Sequence, residues 1–260
     1  MSGLIVESAL LTHGLVSTDN GRILNVWDPD WLIGWMDRGR PVAADVEEFL
    51  FFRGRADEAV RIGYSAYDKA KSGGATGALT ASGTIRLCEE RGAEIAVSCG
   101  IGGLTAGQGI EKSNDLAALA HTDISLAATA FKDMFDQYYT VQAALTAGIS
   151  VYSMNATWHP GYMFSGPAGK GGAPEIPFSD EMHKGALYLN PISSDEMLSD
   201  MSIIETAVEY GKEEALQGRA FHPAVNAKID ELTGGRSSEL QLLALADNVR
   251  KVKRMLETRK

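Results

Sequence analysis

Only two cysteines, Cys88 and Cys99, occur among the 260 residues, and they show no metal-like pairing. The sequence therefore predicts a reducing compartment and no disulfide. Basic residues are in the minority, with 24 Lys and Arg against 34 Asp and Glu and a formal charge of −10. That balance argues against non-specific nucleic-acid binding and against docking on anionic lipid. Apolar runs are broken by polar residues well short of a membrane span. The first residues carry no basic-then-apolar leader pattern, so a cytoplasmic location is the default expectation.

What is present points to one α/β domain over residues 1–260. Hydrophobic residues make up 45% and charged residues 22%, an ordinary globular balance, and 28 glycines exceed the usual share. The glycines cluster at Gly73–Gly77, Gly100–Gly109 and Gly166–Gly172, where backbone must turn tightly or approach a ligand. Leu4–Val6 and Ala9–Leu11 read as a strand interrupted by Glu7 and Ser8. Asp28-Pro29-Asp30 reads as the start of a short helix through Trp31, Ile33, Trp35 and Met36, stopped by Gly39. Leu79–Arg91 is a second helix ended by Gly92, and Glu94–Ser98 a short buried strand. Asp115–His121 is helical, Ile124–Ala130 a central strand, Met134–Leu145 a helix closed by Gly148, and Ile149–Met154 a strand. Gly161–Gly172 is a loop, and Gly185–Asn190 leads into the turn Asn190-Pro191-Ile192. Three helices follow, at Leu198–Leu216, Pro223–Leu232 and Ser238–Leu256. The pattern predicts a mostly parallel mixed sheet flanked by helices, with a helical C-terminal part.

Lys132 falls at the end of the central strand, where open parallel sheets bind ligands. Its small apolar neighbours Ala127, Ala128 and Ala130 favour the neutral amine, the form that attacks a carbonyl to give a Schiff base. An ordinary lysine at a helix start is the alternative. Glu7, set in an apolar stretch, is either a general acid of raised pKa or the outward face of an edge strand. Asp115 follows Ser113-Asn114 and either caps the next helix or offers oxygen to a hard cation. Gly100-Ile101-Gly102-Gly103 lacks dinucleotide and P-loop spacing and indicates only backbone amides lining a site. The five histidines are scattered, without zinc-like spacing.

Together these segments resemble the pseudouridine-5′-phosphate glycosidases, the indigoidine-A-like family. Val6-Glu7-Ser8-Ala9-Leu10-Leu11-Thr12-His13-Gly14 resembles the family opening Glu-Ser-Thr-x-x-(Ser/Thr)-His-Gly. Gly77-Ala78-Leu79-Thr80, Gly100–Gly103 and Ser113-Asn114-Asp115-Leu116 follow in the family's order. Lys132 stands seventeen positions after Asp115, as the family lysine does, and Asn190-Pro191-Ile192 and Glu231–Gly235 complete the series. The resemblance implies reversible cleavage of a C–C bond between a nucleobase and ribose 5-phosphate. Lys132 would form the Schiff base with opened sugar C1, and Glu7 would move protons. Asp115 would hold a divalent metal, typically manganese, largely through waters. Arg61, Thr80, Ser98 and Ser113 would contact a small-molecule substrate, and the assembly would be a homotrimer.

Three departures alter that pattern. The family's His-Arg after the glycine segment is replaced by Thr105-Ala106. A loop bearing an arginine becomes His159-Pro160-Gly161-Tyr162-Met163-Phe164-Ser165. Where the family has Ser-Leu-x-x-Asn, this chain offers Ser238-Glu239, and Glu239 at the substrate would repel a phosphate dianion unless Arg61 or Lys170 compensates. The expectation is weak activity on pseudouridine 5′-phosphate. A Schiff-base C–C lyase acting on an unphosphorylated sugar-like or keto substrate, and a non-catalytic ligand-binding relative, stand as alternatives.

Overall fold

The computed structural model describes residues 3–15, 17–56, 59–155, 161–164, 176–219 and 221–258. The glycine-rich stretch 166–172 and the positions His159, Pro160, Ser165 and Lys170 lie outside the described residues.

The strands are β1 (Leu4–Glu7), β2 (Ile33–Asp37), β3 (Arg40–Ala44), β4 (Val60–Ile62), β5 (Gly77–Leu79), β6 (Ile95–Val97), β7 (Gly100–Ile101), β8 (Ser125–Ala128), β9 (Ala130–Phe131), β10 (Val151–Ser153) and β11 (Leu187–Leu189). The main sheet runs β10-β11-β8-β6-β1-β2-β5-β4, with β3 paired antiparallel to β2. Pairing is parallel from β10 through β8 and β6 to β1 and β2, as the buried apolar runs predict. β2 lies antiparallel to β5, which pairs parallel with the edge strand β4.

Helices cover both faces. α1 (Asn20–Val26), α2 (Val46–Arg53) and α9 (Arg236–Glu257) pack on one face, α4 (Ala81–Arg91), α5 (Asn114–Leu119) and α6 (Gln137–Thr146) on the other. α3 (Tyr64–Ser72) lies beside α4, while α7 (Ser202–Leu216) and α8 (Phe221–Leu232) pair with each other. Side chains alternate along the central strands: Leu4, Val6, Ile95, Val97 and Ala127 enter the α9-side core, while Ile5, Ala96, Leu126 and Ala128 enter the α4-side core. No described helix is long and apolar enough to cross a membrane.

The largest difference from the sequence reading lies at 28–44. The segment expected to be helical is the β2–β3 hairpin. Gly39 does not stop a helix; it follows Arg38 in the turn, with φ of 50° at Arg38 and 74° at Gly39. Two positive φ values match the right-handed twist of the paired strands. Trp31 and Trp35 still reach the core, so the apolar residues were identified but their period was misassigned. The helix of this region is α1, capped by Asp19, whose carboxylate accepts the Arg22 N–H. Strand β1 also stops at Glu7, and Leu10–Gly14 form a π-helical turn.

Candidate functional site

The polar ends of the parallel strands face one cavity. β6 and β8 do not simply stop: after Ser98-Cys99 and Thr129 they continue as β7 and β9, a separate two-stranded parallel sheet. Lys132 follows β9. Its N–H donates to Ile101 O at 3.0 Å, and its carbonyl accepts the Phe135 N–H at 3.0 Å, which fixes the backbone beneath the amine. Gln137 Nε2 secures the preceding carbonyl, Phe131 O, at 2.7 Å.

Glu7 sits at the C-terminal end of central strand β1, opposite Gly34 of β2, so the edge-strand alternative does not apply. The next residue fixes its surroundings: Ser8 Oγ accepts the Leu79 N–H at 2.9 Å. Asp115 is not the helix cap. Ser113 caps α5, accepting the Leu116 N–H and donating to Gly102 O at 2.8 Å. The Asp115 carboxylate instead accepts the Ser82 N–H at 3.0 Å and the Gly102 N–H at 2.8 Å, joining the start of α4 to the glycine segment. Gly100 is required sterically, since a Cβ there would lie 2.4 Å from the Tyr162 ring.

Glu7, Lys132, Asp115, Ser113, Thr80 and Arg61 all line this cavity of about 320 Å³, together with Lys112, Phe135, Tyr162, Asn226 and Gln241. Lys132 is half-buried where it lines the cavity, and no ion pair or hydrogen bond to a described residue holds its amine. Burial, then the nearby Arg61 guanidinium, lower its pKa, against the pull of Glu7 and Asp115. Glu7 moves the other way. Burial first, then the Asp115 charge, push its carboxyl up to about 7, while Ser98, Arg61 and Lys132 oppose the rise. The cavity thus brings together an amine inclined to be neutral and a carboxyl inclined to keep its proton.

Two expected contacts lie elsewhere. Ser98 is fully buried beside Glu7 rather than on the cavity wall; it steadies the carboxylate, yet its hydroxyl has no partner in ordinary hydrogen-bond geometry. Glu239 is not a lining residue: its carboxylate is half exposed and paired with Arg22. That pair removes the expected repulsion of phosphate. The amide facing the cavity is Gln241, and Ser237-Ser238-Glu239-Leu240-Gln241 satisfies the Ser-x-x-x-amide spacing with no residue missing. Gln241 lies two residues beyond Glu239, on a different side of α9. Tyr162 and Asn226 left no periodic signal because a cavity-facing polar residue interrupts the apolar stripe rather than extending it.

Among the described residues no group of three or more His, Cys, Asp or Glu could hold a metal. Besides Glu7, whose carboxyl is inclined to keep its proton, Asp115 offers the cavity's carboxylate, and each of its oxygens already accepts one backbone N–H. The remaining lone pairs suit a hydrated hard cation and not a directly ligated cage.

The profile of the family described as indigoidine synthase A like protein matches residues 40–170. A pseudouridine-5′-phosphate glycosidase of Roseobacter denitrificans is 25% identical over 269 residues, covering 94% of this chain and 86% of the relative. Pseudouridine-5′-phosphate glycosidase 2 of Photorhabdus laumondii is 26% identical over 215 residues, 76% of this chain and 69% of the relative. An indigoidine synthase A-like protein of Thermotoga maritima superposes with a TM-score of 0.76 at 20% identity, covering 99% of this chain and 93% of the other. The prealnumycin C-glycosynthase in complex with ribulose 5-phosphate gives 0.73 at 19% identity, over 97% and 89%.

Proposed function

We propose, for a chain that belongs to the indigoidine synthase A-like family, that it makes or breaks a C-glycosidic bond through an imine between Lys132 and an opened sugar. The observation that carries this reading is the pairing of Lys132 and Glu7 in one cavity, the amine lowered and the carboxyl raised to about 7. In the cleaving direction Glu7 gives its proton to the ring oxygen as the C1–O bond opens, and the neutral Lys132 amine bonds to C1. The ammonium so formed returns a proton to the Glu7 carboxylate, and the freed nitrogen lone pair forms the C=N bond. The electrons of the C1–C bond leave with the ring carbon, which takes that proton from Glu7. Water adds to the imine carbon, releasing the sugar aldehyde and the amine, and Glu7 recovers its proton from the departing ammonium. Curated relatives named pseudouridine-5′-phosphate glycosidase support this substrate class.

Arg61, Thr80 and Ser113 are the substrate contacts in this reading, with Arg61 and Lys112 as the cationic groups for a phosphate. Asp115 would hold a hydrated divalent ion such as manganese, which would supply positive charge near the sugar oxygens. A cytoplasmic homotrimer completes the proposal. The exchange of His-Arg for Thr105-Ala106 favours a second reading, Schiff-base cleavage of a less phosphorylated substrate.

One experiment tests the core and separates these readings. Pseudouridine 5′-phosphate and pseudouridine are supplied side by side, uracil release is followed, and borohydride is added to trap the imine. We expect trapped mass on Lys132 and none in Lys132→Ala, with turnover abolished in the folded variant. Substantial turnover by folded Lys132→Ala removes the lysine from the mechanism. Efficient reaction of the unphosphorylated nucleoside alone selects the second reading.

A further inference from the structure

Asn226 is 7% exposed on α8 and lines the cavity, yet no described residue hydrogen-bonds its carboxamide. Its neighbours show how unusual that is. Val225 and Ile229, on the same helix, are core residues. Asp230, one turn on, is also buried but satisfied three times over, by Ser17 Oγ, Ser237 Oγ at 2.9 Å and the Ser238 N–H at 3.0 Å. The other buried carboxamide of the cavity, Gln241, is largely spent: its carbonyl accepts the Tyr162 hydroxyl at 3.0 Å and its amide donates to Ser237 O at 3.2 Å. The Asn226 carboxamide is not sealed away from the cavity, so its hydrogen-bonding positions are open to a ligand there.

We infer that Asn226 is a specificity-determining residue that reads the non-sugar part of the substrate. A carboxamide presents a carbonyl and an N–H side by side, and its neutral complement is a lactam edge, a ring N–H next to a ring carbonyl. The lining carries groups for each part of such a ligand: Arg61 and Lys112 are cationic, Lys132 and Glu7 are the reacting pair, and α8 and α9 contribute uncharged amides. This deepens the proposed function and rests on it.

The test compares the intact protein with Asn226→Leu and Asn226→Asp, using pseudouridine 5′-phosphate and ribose 5-phosphate as probes. Leucine fills the space without an amide that needs a partner, so the Tm of free Asn226→Leu is expected not to fall. The half-saturating concentration of pseudouridine 5′-phosphate is expected to rise about tenfold or more. That loss should exceed the loss for ribose 5-phosphate, scored by borohydride trapping, because ribose 5-phosphate carries no ring amide. Asn226→Asp, which keeps an acceptor but no donor, should show the same selective loss. A lower Tm in Asn226→Leu, or equal losses for both probes, overturns the inference. So does a wild-type Tm that pseudouridine 5′-phosphate leaves unmoved. If ribose 5-phosphate is never trapped but the selective loss persists, the imine reading fails and Asn226 keeps its role. If trapping is normal and the losses are equal, Asn226 alone fails.

Discussion

A carboxyl with a pKa near 7 is destabilised as a carboxylate, and at Glu7 the cause is burial reinforced by Asp115. Folding holds the proton on Glu7 from its ordinary 4.5 up to about 7. In that window the native state binds more protons than the unfolded chain, so stability falls as pH rises through it. Glu7→Gln should therefore raise Tm at pH 8 relative to wild type, by the equivalent of order 2 kcal/mol, and the advantage should shrink toward pH 5. Thermal melts across that range check the sign; an equal or larger advantage at pH 5 refutes it. The same variant should lose roughly 10²–10⁴ in turnover if Glu7 is the proton donor. Turnover should also fall above pH 7 as Glu7 ionises. The sequence exposed Glu7 and Lys132 because each is a charged residue at the end of an apolar run. It could not expose Asn226 or Gln241, whose meaning depends on which neighbours leave them unsatisfied.

Among the elements, the segment Gly161–Phe164 is held to Asp133, the residue after Lys132. Asp133 Oδ1 accepts the Tyr162 N–H at 2.8 Å and Oδ2 the Met163 N–H at 2.9 Å, while the Tyr162 hydroxyl reaches Gln241 and Cys99. Burial raises the Asp133 pKa to about 6, with these backbone donors opposing the rise. We expect Asp133→Ala to speed hydrogen exchange at the amides of Tyr162 and Met163 while β6 and β8 stay protected. Unchanged exchange there would show that other contacts hold the segment. Elements were legible where one period dominated: α4 begins at Thr80, whose hydroxyl accepts the Gly83 N–H, and ends at Gly92 in the left-handed conformation, close to the expected limits. They were illegible at 28–44, where Trp31, Ile33, Trp35 and Met36 satisfy a helical spacing by coincidence. There the turn chemistry of Asp37-Arg38-Gly39-Arg40 carries the signal.

In the whole molecule, α9 ties the sheet together across the full length of the chain. Asn248 Nδ2 donates to Ser98 O at 2.8 Å and Thr129 Oγ1 at 3.0 Å, and its Oδ1 accepts from Asn190 Nδ2 at 2.8 Å. One buried side chain thereby ties together the ends of β6, β8 and β11. Asn248→Ala, which strands those partners, should cost about 2–4 kcal/mol in urea unfolding; a loss below about 0.5 kcal/mol would mean the sheet ends hold without it. The order of the chain gives this arrangement a consequence during synthesis. Glu7, Asp115 and Lys132 leave the ribosome long before Asn226 and Gln241, which complete the cavity wall, and before Asn248, which ties the strand ends. A nascent chain that ends between Thr146 and Phe221 carries Lys132 with α8 and α9 still missing, in more water and with a more basic amine. Helices α8 and α9 thus help hold the Lys132 amine below its ordinary basicity, and the cavity that does so closes only after both have emerged.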